Sequence, residues 1–223
     1  MRANKGVGNL QFRRKYCTMR RLSIISTEIV LREILLLLSA YLLGSIPTGL
    51  LLGKALGVNI REAGSGNIGA TNVYRTMGRK VGILTLLGDC LKGVIPVLVA
   101  KWLGLPDLWI AAVGLAAFLG HVYTIFLGFK GGKGVATALG VFLATSPLSV
   151  LIAIGVFAVV LYSWRYVSLA SITAAVVIPI LVWLIELKPE LIVMSFLIAT
   201  IVIFRHRENI ARLRAGTENR FKA

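Results

Sequence analysis

Residues 135–163 read VATALGVFLATSPLSVLIAIGVFAVVLYS and carry no charged side chain. Drawn as one helix the run would be about 43 Å long, against a bilayer hydrocarbon core of about 30 Å. Ser146-Pro147 supplies the natural break, because the residue before a proline avoids helical geometry. The run therefore splits into a short segment, 135–145, and a longer one, 147–163. The same reading extends outward to apolar segments at 33–53, 81–102, 107–127, 167–186 and 190–204. Pro47 marks a kink in the first, and Asp89 and Lys92 interrupt the second. The expectation is an all-α integral membrane protein with about seven transmembrane helices, one of them short. Residues 28–223 form a single polytopic membrane domain behind a basic tail, 1–27.

The composition agrees: 57% of the 223 residues are hydrophobic and only 15% are charged, which excludes an ordinary soluble domain. The net charge of +16 points to anionic lipid or anionic substrates. Nucleic acid is excluded as a partner, since the basic residues lie in short loops and tails without a basic helix or aromatic platform. Cys17 and Cys90 give neither a disulfide framework nor a thiolate metal site. The tail, with Lys or Arg at 2, 5, 13, 14, 15, 20 and 21 and no acid before Glu28, has the composition of a targeting segment. A second reading starts translation at Met19 and makes residues 1–18 non-native.

Loop charge orients the bundle. With seven crossings, the loops at 54–80, 128–134 and 164–166 and the tail from 205 share one side and hold most of the loop Lys and Arg. The positive-inside rule makes that side cytoplasmic. The basic N-terminal tail then lies outside, against the rule. Six crossings, without 135–145, would separate the loop at 64–75 from the tail.

Four polar groups fall on that side. Residues 64–75 read Gly-Ser-Gly-Asn-Ile-Gly-Ala-Thr-Asn-Val-Tyr-Arg. Glycines among short donors can turn backbone N–H groups inward as an anion nest, with Arg75 as its cation. Residues 128–134, Gly-Phe-Lys-Gly-Gly-Lys-Gly, resemble a nucleotide P-loop only superficially. Gly134 stands where that motif needs Ser or Thr, and no strand precedes it. The loop instead sets Lys130 and Lys133 beside flexible backbone at a helix start. The third group runs from Arg205 to Leu213 with Gly216 and Glu218. A continued helix puts His206 and Asn209 on one face, and Glu208 in a salt-bridge ladder between Arg205 and Arg212. The fourth is Ser168 with Ser171, whose hydroxyls a preceding helical turn can satisfy. Asp89 and Lys92 are an i, i+3 pair within a span, and His121 either faces the same pocket or makes a polar helix contact. No acidic or histidine group has metal-ligand spacing. No Gly-x-Ser-x-Gly elbow and no His-x4-Asp pattern occurs.

In this order, Gly64 to Arg75, Gly120-His121 through Phe129 to Thr137, and Phe204 to Glu218 resemble the acyl-phosphate-dependent glycerol-3-phosphate acyltransferases of bacteria, the PlsY family. The resemblance covers about residues 40–221. It implies a seven-helix protein of the bacterial inner membrane with its active site formed by cytoplasmic loops and helix ends. The implied reaction moves a fatty acyl group from acyl phosphate to the sn-1 hydroxyl of glycerol 3-phosphate, giving lysophosphatidate and phosphate without a cofactor. It implies His206, Ser65, Arg75 and Lys133 as catalytic groups, and Gly66, Asn67, Thr71, Asn72, Ser171 and Asn209 as substrate-binding ones. Membrane lipid surrounds the protein, and an acyl-phosphate-producing enzyme is a functional partner. The proton acceptor is left between His206 and a substrate phosphate oxygen, with the resemblance favouring the latter. A different class, a small membrane transporter of an organic phosphate, would suit midplane charges such as Asp89 and Lys92. It predicts inverted repeats, which the sequence does not display.

Overall fold

The computed structural model describes residues 30–221. The basic tail 1–27, with Cys17 and the Met19 question, lies outside them. The chain divides into compact units at Leu36/Leu37, within the first helix.

Ten α-helices occur among the described residues: α1 Val30–Ser45, α2 Thr48–Ala55, α3 Ala70–Met77, α4 Arg79–Trp102, α5 Asp107–Val122, α6 Val135–Thr145, α7 Pro147–Trp164, α8 Val167–Ile185, α9 Pro189–Arg205 and α10 Arg207–Arg214. Four helical stretches are long and apolar enough to cross a membrane: α4, α5 with the 3-10 turn that extends it to Leu127, α7 and α8. The pairs α1–α2 and α9–α10 bend by 42° and 55° and raise the number to six if each is one span. The seventh apolar segment is α6, at 11 residues the short helix the sequence separates from α7.

Prolines explain the breaks. Pro47 does more than kink the first segment, because the chain leaves helical geometry there before α2 starts. At Ser146 the backbone leaves helical geometry, at φ −145° and ψ 71°, and Pro147 opens α7. Pro96 and Pro179 lie inside α4 and α8 without ending them. One further helix falls within a stretch expected as loop: α3 sits inside 54–80. Val73 and Met77, one turn apart, pack with Leu50, Ile60, Ile68 and Val81 in a small apolar cluster beneath the loop.

Lipid offers helices no hydrophobic incentive to associate, so small residues that allow close approach decide the contacts. α4 packs most extensively on α6. A Cβ on Gly140 would lie 2.0 Å from the Cys90 carbonyl oxygen, and one on Gly93 2.3 Å from that of Thr137. The α4–α6 contact is therefore backbone against backbone. Large apolar side chains on the outer helices, Leu151 and Val159 on α7 and Trp183 and Leu184 on α8, are exposed and suited to lipid.

Asp89 and Lys92, inside the bundle, pair with each other. Asp89 Oδ1 lies 2.6 Å from Lys92 Nζ, both nearly fully buried. Lys92 also donates to the Ile46 carbonyl at the α1–α2 break, and Thr137 Oγ1 donates to the Asp89 carbonyl at 2.9 Å. His121 Nδ1 stands 3.8 Å from Asp89 Oδ1.

Replacing Gly140 by Leu is expected to lower the thermal unfolding midpoint of the detergent-solubilised protein by about 5 °C or more, since the α4–α6 seam has no room for overpacking. An unchanged midpoint would refute the backbone-to-backbone seam.

Candidate active site

The loop before α3 is organised by one side chain. Asn72 is buried, and its Oδ1 accepts the Ser65 amide at 2.8 Å. Its Nδ2 donates to the carbonyls of Ala63 at 3.0 Å, Asn67 at 2.9 Å and Ile60 at 3.3 Å. Asn67 Oδ1 takes the Gly69 amide at 2.8 Å. Gly66, at φ +67°, makes the turn, and its amide goes to the Ala63 carbonyl. Within the nest expected at 64–75, the Ser65 and Gly66 amides are thus bonded inside the loop, and Gly66 does not line the cavity described below. The start of α3 faces the cavity: Gly69 caps it with no side-chain bond, and Ala70 and Thr71 line the cavity, an arrangement with the chemistry to receive an anion. Arg75 lies one turn beyond Thr71, exposed, with Nη2 3.3 Å from the Asn219 carbonyl.

The second loop is packed against α5. Gly131 and Gly132 donate their amides to the carbonyls of Val122 and His121 at 3.1 and 3.2 Å. A Cβ on Gly132 would meet His121 Nε2 at 2.3 Å, which explains why the loop needs glycine there. Arg61 Nη2 reaches from the first loop to the Lys130 carbonyl at 2.8 Å.

The third element departs most from expectation. The last span does not run straight into α10; it turns by 55° at His206. His206 and Asn209 are nonetheless both buried at the same cavity. The Glu208 ladder does not form. Arg205 turns to the Gly131 and Gly132 carbonyls, Arg212 pairs with Glu218, and Glu208 is exposed. Asn209 Oδ1 accepts a hydrogen bond from Lys133 Nζ, and its Nδ2 donates to Glu218 Oε1 at 2.6 Å. The same oxygen accepts Ser168 Oγ at 2.8 Å, while Glu218 Oε2 accepts Arg212 Nε at 2.7 Å. Glu218 is the functional residue the sequence reading left without a role. It lies nine positions past Asn209, outside any helical spacing, and only its place in the third motif signalled it. Ser171 donates to the Val167 carbonyl at 2.8 Å, as a serine one turn along does, and still lines the cavity.

These elements enclose a polar cavity of about 330 Å³ at one end of the bundle. Of the expected residues it gathers Ser65, Asn67, Thr71, Asn72, Arg75, Lys133, Ser171, His206 and Asn209, and adds Arg212 and Glu218. An apolar cavity of about 370 Å³ lies between α4, α6, α7, α8 and α9, and shares Leu86, Val135, Ala136, Phe157 and Ser171 with the polar one. A ligand with an anionic head and a hydrocarbon tail fits such a pair of chambers.

Sequence comparison decides the lineage. The family described as Glycerol-3-phosphate acyltransferase matches residues 34–216. The chain belongs to that family. The glycerol-3-phosphate acyltransferase of Geotalea daltonii is 72% identical over 190 residues, covering 85% of this chain and 98% of the relative. That of Aquifex aeolicus is 47% identical over 197 residues, covering 86% and 100%. The crystal structure of PlsY (YgiH), an integral membrane glycerol 3-phosphate acyltransferase, in its glycerol 3-phosphate form superimposes with a TM-score of 0.83 at 46% identity, covering 86% of this chain and 96% of that one. Its lysophosphatidic acid form gives a TM-score of 0.81. This member of the acyltransferase family therefore shares the PlsY fold.

The electrostatics of its cavity are tuned. Burial lowers the Lys133 ammonium from the ordinary 10.5 to about 8; Glu218 and Glu208 oppose the shift, while Arg212 and Arg75 reinforce it. Burial of Glu218 would raise its carboxyl, but hydrogen bonds from Arg212, Asn209 and Ser168 outweigh it and hold the group below the carboxylate range. His206, one residue beyond the end of α9, is lowered to about 4 by burial and by Lys133. Its Nδ1 lies 2.8 Å from the Val202 carbonyl, so that nitrogen carries the proton and Nε2 is bare.

Lys133 is charged below its lowered pKa and neutral above it. Binding of inorganic phosphate is therefore expected to weaken as pH rises past about 8, by up to about tenfold for the next unit. Titration calorimetry checks this, with Lys133→Gln expected to bind weakly and without that pH dependence. A wild-type affinity that stays flat to about pH 9.5 would remove Lys133 from anion binding.

Proposed function

We propose that this protein transfers a fatty acyl group from acyl phosphate to the sn-1 hydroxyl of glycerol 3-phosphate in the bacterial inner membrane, with its site open to the cytoplasm. The observation that carries the reading is the polar cavity, cationic at Arg75, Lys133 and Arg212, which shares lining residues with an apolar one. Two phosphates need anion sockets in the first chamber, and an acyl chain needs the second. The basic loops at this end match the positive-inside rule.

The acceptor hydroxyl oxygen attacks the acyl carbonyl carbon, and the bond from that carbon to the phosphate oxygen breaks. Inorganic phosphate leaves, and the hydroxyl proton passes to a phosphate oxygen. Acyl phosphate is already activated, so holding the two substrates in line supplies much of the rate. Ser65, Arg75, Lys133 and the start of α3 stabilise charge on phosphate and carbonyl oxygens. Thr71, Asn67 and Asn209 orient the bound phosphates, Gly66 and Asn72 shape the loop, and Ser171 stands at the junction of the chambers. His206 hydrogen-bonds a substrate through its bare Nε2. With its imidazole lowered to about 4, it is a weaker base than a phosphate monoester of second pKa about 6. The substrate phosphate is therefore the proton acceptor. Acyl phosphate turns over at the membrane, so the enzyme that makes it is a functional partner.

Purified protein in lipid, given acyl phosphate and labelled glycerol 3-phosphate, is expected to form lysophosphatidate, with acyl-CoA and acyl carrier protein inactive as donors. Arg75→Ala should lose activity on the order of 10²-fold or more while remaining folded. An active Arg75→Ala enzyme would take that loop out of the mechanism, and no lysophosphatidate from the wild type would defeat the whole reading. His206→Gln is expected to slow turnover but leave the shape of the pH–rate profile unchanged; loss of its acid limb would make His206 the base.

A further inference from the structure

Arg205 is the last residue of α9 and does not line the polar cavity. Its guanidinium is nevertheless engaged with the loop that delivers Lys133. Nη2 donates to the Gly131 carbonyl at 2.9 Å, and Nε points to the Gly132 carbonyl at 3.3 Å. The amides of the same two glycines donate to the opposite side, to the Val122 and His121 carbonyls on α5. The dipeptide before Lys133 is thus held by its carbonyls from α9 and by its amides from α5. Neither glycine accepts a side chain: a Cβ on Gly131 would lie 2.1 Å from the His121 carbonyl oxygen, and one on Gly132 2.3 Å from its ring. Lys133 itself then bonds Asn209, four residues past Arg205 on the next helix. Both attachments to the α9–α10 corner fix where the ammonium stands.

We propose that Arg205 is a positioning residue for Lys133, acting through the Gly131 and Gly132 carbonyls and not on the substrate. The guanidinium suits this task because its planar fork spans two successive carbonyls, which an ammonium cannot do. The alternative is a cation that ends a span and satisfies helix-end carbonyls. That role concerns the stability of α9 and leaves Lys133 where it is. The assignment rests on the acyl-transfer reading for its catalytic consequence, but its geometric core is independent of turnover.

The test reads Lys133 directly. Wild type, Arg205→Gln, Arg205→Lys and Arg207→Gln proteins in lipid are treated with acetic anhydride from about pH 7 to about pH 10, with modification at Lys133 and Lys130 followed by mass spectrometry. Lys133 freed from its buried position should shift its reactivity midpoint upward by about one unit or more in Arg205→Gln, while exposed Lys130 stays put. Arg205→Lys, which keeps the charge but contacts one carbonyl, should shift it by less. Arg207→Gln removes a neighbouring exposed charge and should shift neither. With acyl phosphate and glycerol 3-phosphate, kcat/KM of Arg205→Gln should fall about tenfold or more, with partial recovery in Arg205→Lys. An unmoved Lys133 midpoint in folded Arg205→Gln overturns the proposal. Should that variant not accumulate, the same reading in Arg205→Lys decides it. Absence of lysophosphatidate from the wild type would refute the acyl-transfer reading alone, because the Lys133 midpoint is read without substrate.

Discussion

Asp89 and Lys92 set the terms for the rest of the bundle. Two opposite charges buried within a helix bundle are tolerated when they pair, because an isolated ion there is costly. The match recruits four parts of the fold. The pair itself lies on α4, Thr137 of α6 bonds the Asp89 backbone, Lys92 reaches the carbonyl freed at the α1–α2 break, and His121 of α5 stands near the carboxylate. The glycines at 93 and 140 let α4 and α6 come close enough for the Thr137 bond. His121 in turn carries the glycine loop on its ring and carbonyl. The polar interior thus fixes the frame from which Lys133 is presented.

The site is built at the end of that frame by backbone and small side chains more than by the charges themselves. Asn72 consumes an amide and carbonyls that an irregular loop would otherwise leave unmatched, and the start of α3 is left facing the cavity. Lys133 is kept near neutrality's edge by burial, which makes it responsive to an arriving anion. Glu218 prevents the basic cluster from repelling itself apart. Polar head chamber and apolar tail chamber meet at Ser171, Val135 and Ala136, where two kinds of solvation adjoin.

Much of this was legible in the sequence for identifiable reasons. Ser146-Pro147 split an overlong apolar run because proline acts locally, and the structure has its break there. Pro96 and Pro179 were silent because neighbouring helices tolerate them within a span. The three polar motifs announced themselves by composition, and nine of the ten expected site residues line one cavity. What was not legible depended on tertiary partners. Helix α3 hid behind glycines, since an eight-residue helix is stabilised by the apolar cluster beneath it and not by its own propensity. The Arg205–Glu208–Arg212 spacing suits a ladder on one continuous helix, but the chain turns by 55° after Arg205, and the two arginines bond the Gly131 and Gly132 carbonyls and Glu218 instead. Gly66 makes the turn of its loop, a role set by backbone geometry that composition alone does not assign.

Glu218 draws hydrogen bonds from Ser168, Asn209 and Arg212, which lie on two helices far apart in the chain. Residues that share one acceptor do not contribute independently: removing one alters what the loss of the next is worth. In evolutionary terms the three behave as a single character. Drift at any one of them is constrained by the other two, and a lineage that replaced Glu218 would have to rewrite all three together.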